Sequence, residues 1–270
     1  MSRQPASQRV GFRDHGGSLC RDEFASTRIS NYRNQMDELV PHVTVIEMSG
    51  QQATASLVRA AFEDALANRG HMDERAYQVD GISGRKHRLF LNNLIAAMRQ
   101  PRYLEIGIFR GATFCAAVSN NKVHATGVDN WAEFGGKANE FYVNLAALKG
   151  PEASVSIIEQ DFRAVNYAAL GPFNVGFFDG PHTERDQYDG ARIIIEAMEA
   201  NGIMMVDDWN WQQVRSGTMH AIRDTGVHIG FAIEVRTSFD NTVPAHAYGK
   251  SDWNNGLFVA AVSRRSGAWH

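Results

Sequence analysis

Three carboxylates stand where two apolar runs end. Asp179 closes NVGFFD (174–179), and Asp207 and Asp208 close GIMMVDD (202–208). If those runs are neighbouring parallel strands, the three side chains emerge together at the carboxyl edge of one sheet. Like charges at that range repel and raise one another's pKa, so the cluster makes physical sense mainly around a cation. An all-oxygen ligand set favours Mg²⁺, Ca²⁺ or Mn²⁺ over zinc. Three residues past Asp179 stands His182, whose ordinary pKa near neutrality suits removal of a proton from a hydroxyl. His220, on the helix expected after the Asp pair, is a weaker candidate for that role. A purely structural reading remains open: Asp207 or Asp208 caps the helix beginning near 212, Asp179 serves the Gly180–Pro181 turn, and His182 is simply exposed.

A second chemical feature lies upstream. LEIGIFRGAT (104–113) puts Gly107 and Gly111 at a turn from a strand into a helix, where missing side chains let a ligand approach the backbone. About twenty residues later GVDN ends the next strand in Asp129, placed to accept hydrogen bonds from both hydroxyls of a ribose. Together the two point to a nucleoside ligand. The turn is neither a G-x-G-x-x-G fingerprint nor a P-loop. The structural alternative is that the glycines permit close strand–helix packing and Asp129 caps a helix.

The elements that must position these residues follow from periodicity. Short apolar runs at 102–107, 124–129, 154–159, 173–178 and 202–206 read as strands, alternating with helices that include 137–148 and 184–200, which predicts a parallel α/β sheet. After a helix over 212–224 the style changes. Runs at 228–235 and 256–262 predict an antiparallel return across a long polar loop. Ahead of this core, helices are expected at 53–68 and 84–99, and Val43–Ile46 has the pattern of a short strand. The expected organisation is an N-terminal arm and helical extension over 1–75, then one α/β domain over 76–270.

Composition narrows the partners. Across 270 residues, 27 Lys+Arg against 30 Asp+Glu leave a net charge of −3, so no global basic field exists to attract nucleic acid or an anionic membrane. No run approaches a membrane span, and the opening residues lack the apolar stretch of a signal peptide. Cys20 and Cys115 form no metal-binding or redox pair, which fits a reduced, cytoplasmic protein. The N-terminal arm and the 236–255 loop are candidates for lids or for contacts in a homo-oligomer.

The motifs resemble those of the class I S-adenosylmethionine-dependent methyltransferases, whose first strand leads into an E-x-G-x-x-x-G turn, here Glu105, Gly107 and Gly111, and whose second strand ends in an acid, here Asp129. The resemblance covers roughly 84–263 and implies a Rossmann-like fold with a mostly parallel seven-stranded sheet and a terminal antiparallel strand. It also implies that the turn through Thr113 cradles the methionine moiety, that Asp129 with Asn130 meets the ribose, and that Gln160, Asp161 and Phe162 surround the adenine. The acids resemble those of metal-dependent O-methyltransferases of the macrocin and aminocoumarin-sugar type and of the catechol type. That implies Mg²⁺ or another divalent cation on Asp179, Asp207 and Asp208, with a hydroxyl of a sugar-bearing or polyhydroxylated secondary metabolite as acceptor. One departure concerns the base: the sugar-modifying relatives carry an acid where this chain has Pro181, and the catechol type a lysine where it has His182. Two alternatives remain, a metal-independent N-, O- or carboxyl-methyltransferase and a non-catalytic cofactor-binding regulator.

Two further features surround the site. Trp131, Trp209, Trp211 and Trp253 are candidates either for stacking on a sugar or ring at one rim or for core packing. Arg85, Lys86 and Arg88, in SGRKHR (83–88), read either as contacts for an anionic acceptor or as a solvated helix start.

Overall fold

The computed structural model describes residues 27–28, 41–48, 51–244 and 251–264. Cys20, the rest of the expected N-terminal arm before 41, and residues 245–250 of the long loop lie outside the described residues. In chain order the elements are β1 (Thr27–Arg28), β2 (His42–Glu47), α1 (Gln52–Leu66), α2 (Arg85–Ala97), β3 (Arg102–Ile106), α3 (Ala112–Val118), β4 (His124–Val128), α4 (Ala138–Leu148) and β5 (Ser154–Ile158). Then come β6 (Phe173–Phe178), α5 (Glu184–Ala197), β7 (Met198–Asp207), α6 (Gln212–Thr225), β8 (His228–Arg236) and β9 (Leu257–Ser263).

All nine strands form one sheet in the order β1-β2-β8-β9-β7-β6-β3-β4-β5. Strands β7, β6, β3, β4 and β5 run parallel, and β9 lies antiparallel between β7 and β8. The seven core strands expected from periodicity are all present, and the short strand expected at Val43–Ile46 is β2, which extends the sheet by pairing along its whole length with β8 and carries β1 at its other edge. The alternation of HVTVIE explains that addition: Val43 and Val45 face inward under α1 while their neighbours face out.

Both faces of the sheet are covered. Along β9, Leu257, Val259 and Ala261 belong to the core beneath α1–α4, and Phe258, Ala260 and Val262 to the core beneath α5 and α6. The same period of two divides β6 and β7. Strand order reverses between β3 and β6, and the crevice that such a reversal opens at the carboxyl ends is where ligands of α/β sheets bind.

One boundary differs from the periodic reading. The helix expected to reach 200 stops at Ala197, and the strand starts at Met198 rather than 202. Met198 takes an extended backbone, buries its side chain and pairs with Phe173 across a register irregularity, so sheet pairing overrides the helical pattern of 198–200. Among the described residues no helix is long and apolar enough to cross a membrane.

Candidate active site

The glycine turn is built by packing as much as by openness. Gly107 has φ +91°, and a Cβ there would lie 2.0 Å from the carbonyl oxygen of Asp179. Gly111 has φ +83°, is the N-cap of α3, and a Cβ there would lie 2.6 Å from the ring of Phe141. Both glycines are therefore required by left-handed backbone and by close neighbours, as the structural alternative held. Beneath the turn, fully buried Glu105 accepts hydrogen bonds from Thr113 Oγ1 (2.6 Å) and the Tyr103 hydroxyl (2.5 Å). Burial outweighs these bonds and pushes its pKa up to about 8.

Asp129 does not cap a helix. Its Oδ2 accepts from the backbone N–H groups of Ile108 (2.7 Å) and Phe109 (2.8 Å), and its Oδ1 from that of Trp131 (2.7 Å). One carboxylate thus ties the end of β4 to the glycine turn after β3. The signal available in the sequence was only the acid's position; its partners come from the adjacency of β3 and β4.

The strand-end acids divide. Ligand-capable atoms of Asp179, His182 and Asp208 all lie within 4.8 Å of one another. His182 Nε2 stands 2.5 Å from Asp208 Oδ2 without hydrogen-bond alignment. Asp207 also lines the cavity but falls outside this trio, and His87 Nδ1 lies 3.7 Å from its Oδ1. Those two atoms and His87 Nε2 are buried without a hydrogen-bond partner. Burial, followed by repulsion from Asp207 and Asp208, holds the Asp179 carboxyl well above the usual range. Burial and then Asp208 do the same to Asp207. Burial and the neighbouring Arg88 hold the His87 imidazole neutral, its pKa pushed down to about 3.

Local structure explains why these side chains are so placed. His182 precedes the N-cap of α5, where Thr183 and Asp186 form a reciprocal capping box that fixes the chain's entry. The first N–H of α6, that of Gln212, goes to Asn241 Oδ1 (2.5 Å), so neither Asp207 nor Asp208 is spent there. The DWNW turn is anchored from behind: the Trp209 indole donates to Glu234 (3.0 Å) and stacks on Phe258. Asn210, fully buried, donates to Thr237 Oγ1 (2.8 Å) and Asn255 Oδ1 (3.0 Å) and accepts from Thr237 N (2.9 Å).

Between the glycine turn and this cluster lies a cavity of about 340 Å³. Gly107, Thr113, Asp129, Asn130, Gln160, Asp161 and Phe162 line one part, and Asp179, His182, Asp207 and Asp208 the other. Glu105 and Gly111 support the turn without lining it. Eight described non-glycine residues have positive φ. Four are asparagines, which tolerate it, and the other four, Phe109, Trp131, Phe134 and Asp208, all line the cavity. Such backbone costs roughly 1–3 kcal/mol per residue and concentrates at functional sites.

Several expectations are corrected. Lys86 and Arg88 are neither solvated nor free for an anion. Lys86 pairs with Asp252 (2.6 Å), and buried Arg88 donates to Ser83 Oγ, Ser83 O, Ala76 O and Val79 O. Arg85 alone is exposed, lying over the Tyr77 ring. Trp209 and Trp253 belong to the cores, Trp131 lines the cavity, and Trp211 packs its edge on His182 at 5.0 Å. His220 lies outside the cavity lining and faces Glu184 (3.3 Å). The segments SGRKHR (83–88) and VDNWAEFGG (128–136), expected around the site, contribute Ser83 and Phe134 to the lining; missed from sequence were Gly81, Ile82 and Phe109, since nothing local distinguishes a lining Phe from a core one.

Residues 104–209 match a family model described as a methyltransferase domain. The chain is similar to the O-methyltransferase TomG from Streptomyces achromogenes, solved with S-adenosylmethionine, at 15% identity over 80% of this chain and 100% of that one, with a TM-score of 0.47. It is also similar to an O-methyltransferase from Bacillus cereus in complex with S-adenosylhomocysteine, at 15% identity over 77% and 91%, with a TM-score of 0.45. No curated protein matches the sequence. The matched stretch runs from the strand that opens the glycine turn to the acid pair at the end of β7, and over it the chain carries a methyltransferase domain.

Proposed function

We propose that the chain transfers a methyl group from S-adenosylmethionine to a hydroxyl oxygen of a small molecule, with one divalent cation, Mg²⁺ foremost, held at Asp179 and Asp208. The observation that carries this reading is the convergence of Asp179, His182 and Asp208 on one wall of the cavity whose other wall holds Asp129 and the glycine turn. Two carboxylates in that cavity, one with its pKa raised by burial and then by its acidic neighbours, suit a cation better than they suit each other.

In this reading Thr113 and the turn hold the methionine end of the cofactor, Asp129 and Asn130 the ribose, and Gln160, Asp161 and Phe162 the adenine. Glu105 acts from below by fixing Thr113. A bound divalent ion would lower the pKa of the acceptor hydroxyl and orient it. His182 is the proton acceptor, because it is the one imidazole among the described lining residues and stands beside the proposed cation. As the proton passes to its ring, the oxygen's electron pair forms the new O–C bond and the sulfonium's C–S bond breaks in line, leaving S-adenosylhomocysteine. Positioning supplies much of the rate for such a displacement. A sugar-bearing or polyhydroxylated secondary metabolite fits as acceptor, since vicinal hydroxyls share a cation better than a lone one does.

The test is methyl transfer to a panel of polyhydroxylated acceptors with Mg²⁺ and with excess chelator. Chelation is expected to abolish turnover while cofactor affinity stays within a few-fold. Full turnover in chelator would favour the metal-independent alternative.

A further inference from the structure

The charge of the cavity is lopsided. Six carboxylates line it, those of Asp129, Glu133, Asp161, Asp179, Asp207 and Asp208, and among the described residues no lysine or arginine does. The cations nearby are engaged elsewhere: Arg110, at the glycine turn, pairs with Asp80 and Glu140, and Lys86 with Asp252. Even with the Asp207 carboxyl kept neutral by burial, a divalent cation on Asp179 and Asp208 and a singly positive cofactor would leave the cavity net negative. An anionic group on the acceptor would enter a field that repels it, whereas an ammonium or a neutral polyol would not.

The mouth adds a second, independent feature. Phe134 lines the cavity and is 58% exposed, on left-handed backbone that Gly135 and Gly136 continue. Its ring meets the edge of Phe109 at 5.2 Å, and Phe109 is itself at positive φ. A large ring held at solvent on strained backbone, with one face uncovered, gains contact area only when another ring covers it.

Building on the O-methyltransferase reading, we infer that the acceptor is uncharged or cationic and presents a ring to Phe134, which selects it by stacking. Glu133 beside Phe134 places one of the six carboxylates at that rim, so a ring bearing an amine gains twice.

Calorimetry on the full chain saturated with S-adenosylhomocysteine and Mg²⁺ tests this with three matched probes: para-nitrophenyl β-glucoside (neutral), β-glucosaminide (cationic) and β-glucuronide (anionic). The glucoside and glucosaminide should bind about 10-fold or more tighter than the glucuronide. Phe134→Ala should weaken the two favoured probes by about 5- to 10-fold while leaving S-adenosylhomocysteine affinity unchanged. Phe134 is largely exposed, so that variant retains the core. Equal or tighter binding of the glucuronide, no binding of any probe, or a Phe134→Ala effect confined to S-adenosylhomocysteine would each overturn the inference. Selective binding in this complex, with no methyl transfer to the same probes when S-adenosylmethionine replaces S-adenosylhomocysteine, would leave it standing and count against the O-methyl reading.

Discussion

At the scale of single residues, two side chains separate chemistry from support. His182 is only partly buried and leans on Asp208, so its imidazole is reachable from the cavity and close to the proposed cation. His182→Gln should lower turnover by roughly 10²- to 10⁴-fold with cation affinity retained, because the amide cannot take the proton. Cation titration and initial rates on the same preparation check this, and lost cation binding would reassign His182 as a ligand. Glu105 is a matter of stability. In the unfolded chain it ionises from about pH 4.5, but in the fold it stays protonated up to about pH 8. The folded state therefore binds more protons in that window, so its contribution to stability is complete below pH 4.5 and is lost as pH rises to 8. Glu105→Gln should remove up to ~4 kcal/mol of that decline. Urea unfolding of both proteins at pH 5 and pH 8 measures it, and parallel slopes would show that Glu105 does not carry the effect.

At the scale of elements, the site depends on strands meeting without side chains between them. The β3 turn passes so close to the end of β6 that a methyl group at Gly107 would collide with the Asp179 backbone. Gly107→Ala should therefore destabilise the fold by about 3 kcal/mol or more, adding backbone strain to the clash. It should also weaken cofactor binding by displacing the two strand ends. Denaturant midpoints and calorimetry with S-adenosylhomocysteine read both effects; an unchanged midpoint would mean the two turns have room to part. The glycine pair was legible in the sequence as a strand-to-helix turn, but its purpose was not. Whether an absent side chain makes room for a ligand or for a neighbouring backbone depends on which strand lies alongside, and β6 is sixty-odd residues away.

At the scale of the whole molecule, cofactor binding is linked to folding. The proposed cofactor residues come from β3, β4 and β5 and their loops, and the cavity they share exists only when those strands are in register. S-adenosylhomocysteine at about 100 times its Kd should stabilise the fold by ~2.7 kcal/mol, which raises Tm by roughly 5–10 °C in a chain of this size. That rise should persist largely intact in chelator, since the proposed cation touches the acceptor half of the cavity. Thermal unfolding with and without chelator checks both statements, and no shift with S-adenosylhomocysteine would remove the cofactor assignment.

The sequence by itself determined the alternation of strands and helices, the acids at the strand ends and the turn after β3. Each rests on local chemistry: periodicity, glycine at left-handed φ, and the exit of a parallel strand at its carboxyl end. The tertiary structure decided how those parts meet. It extended the sheet past β8 with β2, left Asp207 near His87 and outside the trio in which Asp208 joined Asp179 and His182, and buried Lys86 and Arg88. Such outcomes depend on partners far along the chain, as when Thr237 and Asn255 clamp Asn210 and so set the backbone of the acid pair. Rotamers and burial at a strand end follow the elements packed against it, and the residue's own neighbours in sequence do not specify those.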